Sequence, residues 1–246
     1  MKAVITGASS GIGLHIAKYL DSLGMTTVIT ARRGDRLNLL AKEFKNTCIT
    51  EPADIGNPAS AAALFEKHRD ADILVNCAGF GVFGEFNQTP LDRELEMIDV
   101  NIKALHTLTK LYLCEFEKRG SGYILNVSSL ASFSPGPMFS SYYASKAYVT
   151  QLTRAVAFEL KKKKSGVKIS VFCPGSVNTN FNATAGAKKF STPPIDAEFA
   201  AKYAVDKMLK GKTVIVPGFM PRLLHIFSKI LPSQVCMSAV YKSKNK

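Results

Sequence analysis

Carboxylates are scarce in this chain of 246 residues: 19 Asp and Glu stand against 32 Lys and Arg, a formal net charge of +13. The shortage argues against cationic partners and leaves anionic ones open. Five cysteines, at positions 48, 77, 114, 173 and 236, form no Cys-x-x-Cys pair and no cysteine–histidine cluster. That excludes a metal-binding framework and makes a disulfide scaffold a poor reading, so free thiols in a reducing compartment are expected. No stretch approaches about 18 uninterrupted apolar residues, so no spanning helix is expected. An apolar strand pattern begins at Lys2, which leaves no room for a signal peptide, and a cytoplasmic protein is expected. No internal repeat or low-complexity linker divides the chain, and the length suits one domain with a large core.

Strand and helix patterns alternate instead. Strands are expected at 2–6, 26–31, 47–50, 72–76, 122–128, 167–173 and 213–216, and helices near 12–23, 34–44, 58–68, 90–118, 142–163 and 197–210. This order predicts an α/β fold: one Rossmann-like, doubly wound domain over 1–246, with a parallel sheet of about seven strands flanked by helices. Residues 1–125 would mainly bind a dinucleotide, 126–218 would carry the catalytic and substrate side, and 219–246 would form an amphipathic basic tail. Thr89-Pro90-Leu91-Asp92 reads as an N-cap, a proline at the first helical position and a capping carboxylate. Lys161 to Lys164 close a long helix before Ser165-Gly166, where cations suit the dipole and glycine suits the cap.

The first strand runs into Gly7-Ala8-Ser9-Ser10-Gly11-Ile12-Gly13 and then a helix. Gly7 permits a tight turn, Gly11 lets backbone approach a pyrophosphate, and Gly13 lets helix and strand pack closely. The helix-start amides, with Ser9, Ser10 and Ile12 around them, then face phosphates. Further along, Tyr142-Tyr143-Ala144-Ser145-Lys146 places a phenol and an ammonium four residues apart on one helical face, thirteen residues after Ser129. A fixed cation beside a phenol favours phenolate and pulls its pKa toward the working range. A nearby serine hydroxyl would hold the oxygen of a reacting carbonyl.

These motifs occur in order with Asp54, Asn76-Cys77-Ala78-Gly79, Asn101 and Pro174-Gly175-x-Val177-x-Thr179. Over Thr6 to Thr179 the chain resembles the short-chain dehydrogenase/reductase family. Cys77 departs from the family, which often has a second Asn there. The resemblance implies a hydride-transfer oxidoreductase with Tyr142 as general acid or base. Lys146 would lower the phenol's pKa and hold the nicotinamide ribose, and Ser129 would bind the substrate oxygen. Asn101 would kink its helix and hold a water linking Lys146 to solvent. Ser128 is set aside for Ser129 on spacing, and Tyr143 should point elsewhere, since one helical step turns a side chain by about 100°. Asp54 and Ile55 would meet the adenine. Asn76, Ala78 and Gly79 would border the sugar and nicotinamide, and Pro174, Gly175, Val177 and Thr179 would line the carboxamide and phosphates.

The second strand ends in Ala31-Arg32-Arg33, without the carboxylate that holds ribose hydroxyls in NAD enzymes of this architecture. Guanidinium groups clamp a 2′-phosphate, so NADP(H) is expected, with Arg32 the main contact and Arg33 the second. No metal is expected. Phe80, Phe83, Phe133, Met138, Phe139, Phe181 and Phe190 fall in segments that should line the pocket. Of these Phe80, Phe133, Phe139 and Phe181 are the substrate candidates, for a hydrophobic carbonyl such as a 3-oxoacyl chain, a steroid or a xenobiotic ketone. Residues 180–194 read as a mobile lid. The tail carries an apolar stripe at Leu223, Leu224, Phe227, Ile230 and Leu231. It would pack on the core or cap the pocket, form a subunit contact, or lie on an anionic lipid surface. A homodimer or homotetramer is the family expectation. An acyl carrier protein and a peripheral membrane contact stay open, whereas no nucleic-acid module is visible. The rival function is a non-catalytic NADP-binding redox sensor.

Overall fold

The computed structural model describes residues 1–186, 193–218, 221–223 and 232–244. The strands are β1 (Lys2–Thr6), β2 (Thr26–Ala31), β3 (Cys48–Pro52), β4 (Ile73–Asn76), β5 (Gly122–Val127), β6 (Val167–Phe172) and β7 (Val214–Ile215). They form one seven-stranded sheet in the order β3-β2-β1-β4-β5-β6-β7. Every pairing is parallel. A parallel sheet needs crossover helices, and these cover both faces. The helices are α1 (Gly11–Ser22), α2 (Gly34–Ala41), α3 (Pro58–Lys67), α4 (Leu91–Ile98), α5 (Leu105–Arg119), α6 (Ser140–Lys162), α7 (Phe181–Ala185), α8 (Ala197–Leu209) and α9 (Ser233–Lys244).

On one face Ile16, Ala17 and Leu20 of α1 and Ala200, Ala204 and Met208 of α8 bury against Ile5, Ile29 and Val75 of the sheet. On the other, Leu64 and Phe65 of α3 and Leu108, Tyr112 and Phe116 of α5 bury against Val4, Val28, Leu74 and Ile124. The strand order reverses direction between β1 and β4, so a crevice opens at the carboxyl ends of these two strands.

Several expected boundaries differ from the structure, and three bear on the local design. The helix over 90–118 is two helices joined by a π-helical segment, Asp99–Ala104, centred near Asn101. Its start lies one residue later than the capping pattern implies: Pro90 is the N-cap residue, with ψ 124°. The Thr89 hydroxyl does not cap the helix but donates to the Glu94 carboxylate at 2.9 Å. After α6 the left-handed residue is Lys164, with φ 52°, not the glycine. Gly166 is required for a different reason, since a Cβ there would collide with the Gly120 carbonyl. Phe190 and residues 224–231 of the tail stripe lie outside the described residues, as does much of the expected lid.

A buried polar network ties the central strands to their helices. Asn76 on β4 donates from Nδ2 to Asn126 Oδ1 on β5 at 2.9 Å and to Thr109 Oγ1 on α5 at 3.0 Å. Asn126 donates onward to Thr153 Oγ1 on α6 at 3.0 Å. All four side chains are buried. Removing the central amide would strand several buried groups, each costing about 1–3 kcal/mol. Asn126→Ala should therefore lower unfolding stability by about 2–3 kcal/mol. Urea denaturation checks this, and a loss below a few tenths of a kcal/mol would show that the network is dispensable.

Candidate functional site

The crevice deepens into one cleft of about 960 Å³ that runs from the glycine turn to the start of α6. At its near end β1 stops at Thr6, whose hydroxyl accepts from the backbone amides of Cys77 and Ala78 at 3.0 and 3.1 Å. This locks the β1 turn against the β4 turn. Gly7 takes φ 68°, and a Cβ on it would sit 2.7 Å from the Ala78 Cα. A Cβ on Gly13 would sit 2.5 Å from the Gly7 carbonyl oxygen. The turn is thus as tight as backbone allows, and α1 begins with no side-chain cap on its amides. Free helix-start amides facing a cleft suit a phosphate, so this cradle fits a dinucleotide.

Gly7, Ser9, Ser10, Gly11, Ile12 and Gly13 line this end, as do Arg32, Arg33, Asp54 and Ile55. Ala78, Gly79, Pro174, Gly175, Val177 and Thr179 line the middle. Arg36, one helical turn beyond Arg33, donates from Nε to the Ser9 carbonyl at 2.7 Å and steadies the turn. It escaped sequence reading because nothing in a lone α2 arginine points to a loop elsewhere in the chain. Asp54 turns back on its own loop, accepting from the Gly56 amide at 3.1 Å.

Asn76 is a correction. It stands outside the cleft, 2 % exposed, with its amide spent on Thr109 and Asn126. The strand alternation turns it into the core, whereas Ala78 and Gly79 emerge beyond the strand end. Asn101 is also fully buried, and it holds both backbone and a side chain. Its Oδ1 accepts from the Phe80 amide at 3.1 Å, and its Nδ2 donates to the Phe80 carbonyl at 2.9 Å and to Ser145 Oγ at 3.1 Å. It therefore anchors the loop after β4 to α6.

Tyr142 and Lys146 meet at the far end. The Lys146 Nζ lies 5.8 Å from the Tyr142 ring centroid and donates to the Val127 carbonyl at 3.0 Å. Ser129 lines the cleft near the Tyr142 phenol, and its hydroxyl accepts from the Ala131 amide at 3.1 Å. Ser128, its neighbour, is buried, donating to the Lys146 carbonyl at 2.9 Å and sharing a bond with Thr150. Tyr143 is a second correction. It lines the same cleft, because both tyrosines fall in the first turn of α6, where Gly136 and Phe139 wrap the helix end.

The electrostatics also correct the expected pull on the phenol. Burial raises the Tyr142 pKa above its usual value, and the neighbouring Ser129 hydroxyl offsets this only in part. Burial likewise lowers Lys146 to about 8, with the Cys77 and Cys173 thiols opposing slightly. Desolvation disfavours both charged forms, so it outweighs the cation's influence on the phenol. Cys77, in the family's usual asparagine position, is pushed up to about 12 by burial and is an inert thiol.

The remaining wall is apolar. Phe139 stacks on Tyr142 at 4.6 Å, and Phe181 tilts against it at 5.3 Å. Phe80 and Phe133 complete this wall, while Phe83 backs Phe139 from outside the cleft. Val235, Cys236, Ala239 and Val240 of α9 close over it. The apolar pattern of α9 is weak, so nothing in the sequence marks it as part of this wall. Among the described residues no cluster suits a metal ion, and no helix is long and apolar enough to cross a membrane.

Residues 1–189 match the family model for short chain dehydrogenase. The chain belongs to that family. An uncharacterized oxidoreductase of Staphylococcus haemolyticus is 35 % identical over 182 residues, 72 % of this chain and 78 % of the relative. The ketoacyl reductase HetN of Nostoc is 33 % identical over 222 residues, 87 % of this chain and 76 % of its own. Among solved structures, a short-chain dehydrogenase from Sphingobium yanoikuyae in complex with NADPH superposes with a TM-score of 0.83 at 28 % identity, covering 96 % of this chain and 95 % of that one.

Lys146 gives a pH signature. Its folded pKa of about 8 lies below its ordinary value of 10.5, so between these pH values the unfolded chain binds more protons. Stability from this group therefore rises as pH climbs from about 8 to 10.5. Relative to Lys146→Met, the wild type should gain stability across that window in denaturant titrations. A flat difference would show that the ammonium is not desolvated.

Proposed function

We propose that the protein interconverts a hydrophobic ketone or aldehyde and its alcohol with NADP(H). The observation that carries the reading is one continuous cleft with an arginine pair at its phosphate end and Ser129, Tyr142 and Lys146 at its apolar end. A nicotinamide dinucleotide would be held by the glycine turn, Arg32, Arg33, Asp54, Ile55, Ala78, Gly79, Lys146 and the stretch Pro174–Thr179. When bound, it supplies or takes up the hydride.

The chain's own groups do the rest. Ser129 donates a hydrogen bond to the substrate oxygen and fixes it beside Tyr142. The raised pKa keeps the Tyr142 phenol protonated at neutral pH, so in the reducing direction it is poised as the donor. An oxygen that becomes alkoxide is a stronger base than phenolate, so transfer to it runs downhill despite the raised pKa. The Lys146 ammonium, charged below about pH 8, then stabilises the phenolate. In the oxidising direction the same groups run in reverse. Asn101 acts as a positioning residue through Phe80 and Ser145.

Phe80, Phe133, Phe139 and Phe181, closed over by α9, suit a sizeable apolar substrate. A 3-oxoacyl chain fits this wall, and the ketoacyl reductase relative supports it. The NADPH-bound neighbour supports the cofactor. Tyr142→Phe should lower turnover of an apolar ketone by about 10²-fold or more, the scale of a lost general acid, while NADPH fluorescence titration is unchanged. Retained turnover would remove Tyr142 from the chemistry. Equal affinity for NADH and NADPH in the wild type would remove the arginine pair from cofactor choice.

A further inference from the structure

We propose that Glu96 is an internal anion that occupies Arg32 where the cofactor's 2′-phosphate would bind, so that it restrains the preference for the phosphorylated dinucleotide. The inference rests on the NADP(H) reading above. Arg32 leaves the end of β2 and reaches α4, where its Nη1 lies 3.0 Å from Glu96 Oε1. The second oxygen of Glu96 is engaged by Arg93, whose guanidinium lies 4.9 Å over the Phe80 ring centroid. Arg32, Glu96 and Arg93 all line the cleft.

The position of Glu96 in the cleft is fixed by its helix. Val100, one turn further along, lies against Gly56 beside Asp54. Glu96 therefore belongs to the end of the cleft where Asp54 and Ile55 stand. Arg33, by contrast, has no carboxylate partner among the described residues. The two arginines are thus not equivalent: Arg33 is open to an incoming anion, and Arg32 is already paired.

A 2′-phosphate is an anion and takes Arg32 only by displacing or crowding the Glu96 carboxylate. Arg93 retains Glu96 nearby, so its charge keeps opposing the phosphate after displacement. A 2′-hydroxyl brings no charge and meets no such opposition. Glu96 therefore weakens binding of the phosphorylated ligand selectively. The pair is partly exposed, so the effect is modest.

The test uses the whole chain and two probes, adenosine 2′,5′-bisphosphate and adenosine 5′-monophosphate, titrated by calorimetry. Glu96→Gln should bind the bisphosphate about two- to fivefold more tightly, the scale of an exposed ion pair, with the monophosphate unchanged. Glu96→Asp, which keeps the charge, should behave as wild type. In an Arg32→Gln background the gain should vanish. Unchanged or weaker bisphosphate binding by Glu96→Gln overturns the proposal, as does weaker monophosphate binding, which would make Glu96 a ribose ligand. If the wild type binds both probes alike and Arg32→Gln changes neither, the NADP(H) reading falls and the proposal with it. If Arg32→Gln weakens the bisphosphate alone and Glu96→Gln is silent, only the proposal falls.

Discussion

An ammonium group held at 5 % exposure has to be compensated, and the far end of the cleft is arranged around that need at Lys146. Val127 is the last residue of β5, and its carbonyl is given to the lysine. The chain must then leave the strand at once, and Ser128 and Ser129 make that exit. Ser128 turns inward and bonds the Lys146 carbonyl, fixing α6 against the sheet, while Ser129 turns into the cleft. On the opposite side the π-helical segment carries Asn101, which grips both the Phe80 backbone and Ser145 of α6. The positions of Ser129, Tyr142 and Phe80 thus follow from how one cation is held.

Tyr142 and Lys146 are both pushed toward neutrality by the same burial, the phenol upward and the amine downward. The resting pair is therefore not a phenolate–ammonium ion pair. On the proposed reaction, that state would become favourable only when an alkoxide in the cleft claims the phenol's proton. A site that disfavours charge at rest and has its hydrogen-bond donors already aimed supplies stabilisation at the step where charge develops, with little reorganisation. The apolar wall of Phe139 and Phe181 against Tyr142 serves the same end by excluding water.

Much of this was legible in the sequence because backbone constraints write themselves in residue type. Gly7, Gly11 and Gly13 mark a turn that side chains would block, and apolar runs such as Lys2–Thr6 and Ile73–Asn76 mark buried parallel strands. Tyr142 and Lys146 are legible because four residues span one helical turn. What was not legible depends on distant parts of the chain. The role of Asn76 depends on Asn126, fifty residues away. The raised phenol pKa depends on how deeply Phe139 and Phe181 cover the ring, which no local spacing reveals. Tyr143 reaches the cleft because the loop before α6 folds over the helix end, so helical geometry alone sent it the wrong way.

The scarcity of carboxylates takes its meaning inside the cleft. Its lining includes four cationic side chains, Arg32, Arg33, Arg93 and Lys146, and two carboxylates, Asp54 and Glu96. Asp54 is engaged by the Gly56 amide, and Glu96 by the two arginines. Arg33 and the open amides of α1 are left to face an incoming anion, and the field at that end is positive. Lys146, at the other end, lies against the Tyr142 ring and donates to the Val127 carbonyl. On the proposed function, charge that would draw a phosphorylated ligand and charge that would serve proton transfer lie on different parts of one cavity. Glu96, bridging Arg32 to the arginine stacked on Phe80, is the carboxylate that spans the distance between them.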